Sequence, residues 1–159
     1  MTSNIDKVIE LDLGCVPEDG ISEALLIQTE LSAFLTFGVR YATGDQTDCA
    51  GRALVEFPRC IITQFGYPND EALPGHPLYA FGLKYYGIFE IMNPSWLKRI
   101  DQQNRVAFPK FDTYASRHFL ITFHDSTFEC LAADIHLKIM IDSAYKNSLQ
   151  SVFDRIIQG

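Results

Sequence analysis

Residues 118–132 constrain the fold more than any other stretch, because apolar and polar side chains alternate along them on both sides of the turn-forming pair Asp125-Ser126. A period of two marks a strand whose two faces meet different surroundings, and two such runs around a short turn make a β-hairpin. With Asp125 and Ser126 as the central turn residues, Phe123 is expected opposite Phe128, Thr122 opposite Glu129 and Ile121 opposite Cys130. Phe119, Ile121, Phe123, Phe128, Cys130 and Ala132 then form one apolar face. His118, Thr122, His124, Thr127 and Glu129 share the other with Leu120 and Leu131, and this second face is read as the outward one.

Other segments carry the same period. In residues 5–13 Ile5, Ile9, Leu11 and Leu13 alternate with Asp6, Glu10 and Asp12, and residues 14–20 read as a turn. Residues 24–41 admit two readings. Ser22 can cap a helix with Ile27, Leu31, Phe34 and Leu35 on one stripe, whereas Leu31, Ala33, Leu35, Phe37, Val39 and Tyr41 make an odd-numbered row that favours a strand over the second half. The polar connection at 42–51 predicts a hairpin into a strand over 52–65, bulged or at an edge at Pro58. Residues 66–77 hold Pro68, Asn69, Asp70, Pro74, Gly75 and Pro77 and predict an exposed loop, with strand again over 78–92. Asn93-Pro94 predicts a helix start, with Trp96, Leu97 and Ile100 inward, Lys98, Arg99 and Gln102 outward, and an end near Asn104 or Arg105. After a loop over 107–117 and the hairpin, a C-terminal helix is expected over 143–158, capped by Asp142, with Tyr145, Leu149, Val152, Phe153, Ile156 and Ile157 inward.

Together these elements predict a single α+β domain. Its expected frame is one curved or partly closed antiparallel sheet of about six strands carrying two helices, the second C-terminal. The 12 Phe and 7 Tyr against 1 Trp fit a sheet-rich core, and 159 residues with 47% apolar content suffice for one. A net charge of −7 repels phosphate backbones and anionic membrane surfaces, so neither nucleic acid nor membrane is expected as a partner. Residues 1–12 lack the apolar stretch of a signal peptide, which gives a cytoplasmic address by default. Cys15, Cys49, Cys60 and Cys130 form no C-x-x-C pair, and Cys60 and Cys130 read as small buried hydrophobes.

The candidate polar cluster is His76, His118, Thr122, His124, Asp125 and Glu129. A Glu that accepts from imidazole fixes its tautomer and raises its basicity, which suits a general base or a ligand pair. The competing reading is that these side chains simply meet water on an outward sheet face, and that His76, held extended before Pro77, closes its own loop. His136, sharing a strand face with Lys138, reads as a solvent-side residue. The four histidines form no i, i+4 pair, and neither a metal nor a cofactor is expected. Ser126, His124 and Asp125 lie too close in one turn to line up as a catalytic triad.

Two strings, Gly75-His76-Pro77-Leu78-Tyr79 and His124-Asp125-Ser126-Thr127-Phe128-Glu129-Cys130, resemble stretches of a family of uncharacterised bacterial proteins. The resemblance spans residues 66–132 and implies a bacterial, cytosolic setting and no catalytic residue. The absence of serine-hydrolase, P-loop and dinucleotide motifs favours a non-enzymatic binding or interaction module, of the immunity or regulatory type, with a basic partner. The alternative is an enzyme or small-ligand binder that uses the His/Glu cluster beside a sheet pocket. Partners are thus a protein or a small-molecule ligand, and a homo-oligomer is compatible with both.

Overall fold

The one-sided apolar rows of the strands bury themselves against each other across two stacked sheets. A computed structural model of the chain describes residues 5–20, 23–41, 49–111, 113, 116–140 and 142–158. In chain order the elements are β1 (Lys7–Glu10), β2 (Cys15–Pro17), β3 (Leu25–Gln28), β4 (Ser32–Tyr41), β5 (Cys49–Pro58), β6 (Ile62–Gly66), β7 (Ile88–Met92), α1 (Ser95–Arg105), β8 (Arg117–Thr122), β9 (Thr127–Ala132), β10 (His136–Met140) and α2 (Asp142–Gln158). Two 3₁₀ turns, Leu73–Gly75 and Tyr79–Phe81, lie between β6 and β7. Residues 42–48 of the polar connection expected at 42–51 and the proposed cap Ser22 lie outside the described residues, as does the side chain of Asp142, while 49–51 already belong to β5.

The fold is α+β with antiparallel sheets and two helices, the second C-terminal. Among the described residues, however, ten strands form two five-stranded sheets, not one curled sheet of about six. The first sheet has the order β1-β7-β8-β9-β6; the second runs β10-β5-β4-β2, with β3 also paired to β4. Ala33, Leu35, Phe37 and Val39 of β4 and Ala53, Val55 and Phe57 of β5 share one core with Phe119, Ile121, Phe128, Cys130 and Ala132 of β8 and β9. Ring pairs bridge the sheets: Phe57 lies 5.9 Å from Phe119 and 5.2 Å from Phe128, and Phe37 lies 5.0 Å from Phe123. Burying one such phenylalanine contributes about 1.5–3 kcal/mol, so this layer of rings is a major source of stability. Cys15, Cys60 and Cys130 are buried, as small hydrophobes are.

The hairpin keeps the expected faces but shifts its register. Ile121 pairs with Phe128 and Thr122 with Thr127, and Phe123 N–H donates to the Ser126 carbonyl at 2.9 Å, so the central turn residues are His124 and Asp125. The pairing moves by two residues from that expected for an Asp125-Ser126 turn, and an even shift preserves which residues share a side. The apolar face therefore points into the core as expected, while the polar face is not outward.

Over 24–41 the strand reading holds in two pieces, broken at 29–31 where the Thr29 hydroxyl accepts from the amides of Leu31 (3.2 Å) and Ser32 (3.1 Å). The turn expected at 14–20 contains the short strand β2. Pro58 closes β5 instead of bulging it; Arg59 follows at φ 49°, and the irregularity of that pair falls at Val39/Arg40. Only Ile88–Met92 of the stretch 78–92 is strand. Asn93, at φ 55°, does not cap α1. Asp6 does so from the distant N-terminal segment, accepting from Ser95 N–H and Oγ–H at 2.7 Å each.

Helix α2 lies against β5, with Val152 buried and the Arg52 guanidinium 4.8 Å from the Tyr145 ring centre. Phe153 and Ile157, expected inward, are 45% and 80% exposed. No helix among the described residues is long and apolar enough to cross a membrane.

The outer face of the first sheet is covered by the segment between β6 and β7. Leu73, Leu78 and Leu83 pack on Phe89, Ile91 and Leu120 to form a second, smaller core. The turn-rich segment expected to be a free loop is thus a lid of short turns, and what it encloses is the polar face of the hairpin.

Candidate functional site

Strand alternation sets His118 of β8 and Glu129 of β9 on the sheet face turned away from the main core. Their register makes them diagonal neighbours, since Leu120 stands opposite Glu129 and Leu131 opposite His118. The third member arrives from the lid. The 3₁₀ turn Leu73–Gly75 ends on His76, whose amide donates to the Leu73 carbonyl and whose backbone is extended (φ −67°, ψ 135°), as Pro77 requires of the residue before it. This conformation brings the ring down onto the sheet.

The Glu129 carboxylate bridges the two imidazoles. His76 Nε2 lies 2.9 Å from Oε1 and His118 Nε2 2.7 Å from Oε2. Across the His76 ring, Nδ1 accepts the Leu78 N–H at 3.1 Å. A nitrogen that accepts carries no hydrogen, so His76 is the tautomer protonated at Nε2 and donates to Glu129. His118 presents Nε2–H to the other oxygen, its ring stands edge-on to Trp96 at 5.1 Å, and its Nδ1 is enclosed without a partner among the described residues. All three side chains are nearly sealed, at 7%, 4% and 11% exposure for His76, His118 and Glu129.

Burial by itself pushes the Glu129 carboxyl up. The hydrogen bonds from His118 and His76 outweigh that and hold it down at about 2. Glu129 is therefore a permanent acceptor at neutral pH, and both of its oxygens are already engaged. Metal ligation fits this arrangement poorly, because a metal at His76 Nε2 would displace the very hydrogen that the Leu78 contact requires there. Among the described residues no group of three His, Cys, Asp or Glu side chains is arranged to hold a metal ion.

Above this bridge opens a cleft of about 390 Å³. It is lined by the lid residues Pro68, Ala72, Gly75, Pro77 and Leu78, by Ser95, Trp96 and Arg99 of α1, by Asp6 and Gln64, and by the bridged His76, His118 and Glu129. Trp96 and Arg99 share a helix face because they are three residues apart. Sequence reasoning put Arg99 on the outer side of α1 and did not single out Asp6, Gln64 or Trp96 as site residues. The i, i+3 spacing of Trp96 and Arg99 was the signal available for the wall; nothing local pointed to Asp6.

The remaining sequence candidates lie elsewhere. Thr122 is buried and structural, accepting from Gly87 N–H at 3.0 Å and donating to the Lys84 carbonyl at 2.9 Å. His124 joins a separate network in which its Nδ1 lies 2.8 Å, and the Tyr86 hydroxyl 2.5 Å, from Asp70 Oδ2. The bond from Tyr86 and the neighbouring His124 hold Asp70 below the usual carboxyl range, while Asp70 in turn pushes Tyr86 up to about 12 and raises His124. Neither Asp70 nor Tyr86 was singled out from the sequence. Asp125 is 76% exposed, with its nearest oxygen 3.9 Å from His124 Nε2. His136 is 61% exposed and sits on the solvent side as expected. The structure thus brings His76, His118 and Glu129 together and separates them from Thr122, His124 and Asp125.

No protein-family model, curated protein or solved structure matches this chain.

Proposed function

We propose that the chain is a small-ligand binding module whose ligand enters the cleft between the lid and the first turn of α1. The observation that carries this reading is a preformed concavity of about 390 Å³, within the range of small-molecule sites, set over a floor of polar groups that already satisfy one another. Such a floor holds its shape without a ligand, which lowers the ordering cost of binding.

Binding is favoured over catalysis by how the candidate acid and base groups are used. His76 engages both ring nitrogens, Glu129 both oxygens, and the free nitrogen of His118 is shielded from solvent. A general base needs an available lone pair within reach of its substrate. A small ligand is favoured over a basic protein partner because a concavity of about 390 Å³ suits a small molecule, whereas a protein partner calls for a much larger contact area.

The chain contains 1 tryptophan, Trp96, and it stands in the cleft wall, so its fluorescence reports occupancy directly. Titration with a diverse set of non-fluorescent small molecules is expected to give a saturable change in Trp96 emission for some of them. Gly75 lines the cleft and a Cβ placed there meets no neighbour, so Gly75→Phe should be tolerated by the fold and, by crowding the cleft, abolish that change. A silent Trp96 across the whole set, or a response that survives Gly75→Phe, would remove this reading.

A further inference from the structure

The charged groups of the cleft differ in how far they are committed. Asp6 accepts two hydrogen bonds from Ser95, at 2.7 Å each, and serves the helix N-terminus. Glu129 is divided between His76 and His118. Arg99 is exposed on the wall and makes no hydrogen bond or ion pair among the described residues. Five guanidinium N–H donors are therefore on offer where the two carboxylates that line the cleft are already satisfied. Helical spacing puts Arg99 on the same face of α1 as Trp96, and Pro77 and Leu78 line the same cleft.

Resting on the ligand-binding reading of this cleft, we propose that it selects small aromatic carboxylates, the acid group pairing with Arg99 and the flat ring lying against Trp96. A guanidinium grips a carboxylate through two parallel N–H···O bonds, stronger and more directional than a lysine contact. An indole wall gives a flat body its apolar contact at little entropic cost. The class that meets both demands in a space of about 390 Å³ is a small aromatic acid, its carboxylate on the ring or one carbon away from it. The protein as a whole carries a charge of −7, so attraction of an anion here is local to Arg99 and does not come from the overall field.

Three probes share one body and differ only in head group: indole-3-acetate, indole-3-acetamide and tryptamine. Isothermal titration calorimetry with the full chain is expected to rank them in that order, the acid binding at least about tenfold more tightly than the amide. Arg99→Gln should erase that preference and leave the amide unchanged. Lys98→Gln removes the same unit of charge from the neighbouring residue, outside the cleft wall, and should keep the preference intact. Equal affinity for all three probes would overturn the carboxylate selection while leaving ligand binding in place, as would tighter binding of tryptamine. Loss of the preference in Lys98→Gln would assign it to the general field and overturn the role of Arg99. If none of the three binds, the selection is likewise overturned, and the Trp96 fluorescence series then shows separately whether the cleft binds anything else.

Discussion

Glu129→Ala is expected to lower the unfolding free energy by about 3–5 kcal/mol, because it leaves two buried imidazole N–H donors unsatisfied, each costing about 1–3 kcal/mol, around a small void. The mutation strips the acceptor from two imidazoles that have almost no contact with water, at 7% and 4% exposure. His76 cannot compensate, because Leu78 N–H already occupies Nδ1 and forces the hydrogen onto Nε2. It is left with a buried donor facing a void, and the lid turn Leu73–Gly75 that precedes it loses its anchor to the sheet. Glu129→Gln should be milder, about 1–3 kcal/mol. Its amide oxygen still accepts from His76, while its NH₂ group opposes the Nε2–H of His118. His118 can answer by moving that hydrogen to Nδ1, where it is buried and unpaired. Urea unfolding of the three proteins checks the order. A Glu129→Ala variant as stable as wild type would mean that the lid does not depend on this bridge.

The same bridge should make the fold acid-sensitive in a defined window. Glu129 titrates near 4.5 in an ordinary environment and at about 2 in the folded chain. A depressed folded value stabilises the native state wherever the carboxylate is ionised in both states, so the contribution is complete above the unfolded value. It declines as pH falls from about 4.5 toward 2, where both states are protonated. The size of the loss is about 3 kcal/mol, from the width of that interval. The measurement is the unfolding free energy against pH for wild type and Glu129→Gln. Wild type should lose about 3 kcal/mol more than the variant between pH 5 and 2. Parallel curves would show that Glu129 is not the group being titrated.

How much of this was legible in the sequence depends on what period-two patterning encodes. It sorts side chains between two faces, and it sorted them correctly: Phe119, Ile121, Phe123, Phe128, Cys130 and Ala132 are all in the main core. Even the misplaced turn did no harm to that sorting, because moving its centre from Asp125-Ser126 to His124-Asp125 changes the pairing by two residues, an even number that keeps every side chain on its face. Patterning does not say what lies over the other face. His118, Thr122 and Glu129 looked solvent-facing because they are polar, yet they are 3%, 1% and 8% exposed. Their cover comes from a segment whose His76 is 53 positions from Glu129 and whose prolines and glycines read as a surface loop. The hydrophobic contacts of Leu73, Leu78 and Leu83 have no helix or strand period to announce them. The second sheet was hidden for a related reason. A row such as Ala33, Leu35, Phe37 and Val39 shows that a strand has an inner face without showing whether its partner is the same sheet curled over or a second one.

Of the six residues grouped from the sequence, the three that meet are those linked by side-chain chemistry, His76, His118 and Glu129. His124 alternates onto the same side of its strand but lies at the turn, where Asp70 and Tyr86 are closer than Glu129. The wall of the cleft escaped notice because its defining contact, Asp6 on Ser95, joins residues 89 positions apart. That contact replaces the local cap that Asn93 was expected to provide, and it fixes where Trp96 and Arg99 stand.

The hydrogen on His76 Nε2 is the point at which bridge, lid and cleft floor meet, and imidazole ¹⁵N shifts from long-range ¹H–¹⁵N correlation at neutral pH report it directly. His76 should show a protonated Nε2 and an unprotonated Nδ1, and should keep them in Glu129→Gln while His118 changes tautomer. A His76 protonated at Nδ1, or averaging between tautomers as a free imidazole does, would contradict the carboxylate bridge on which the cleft is built.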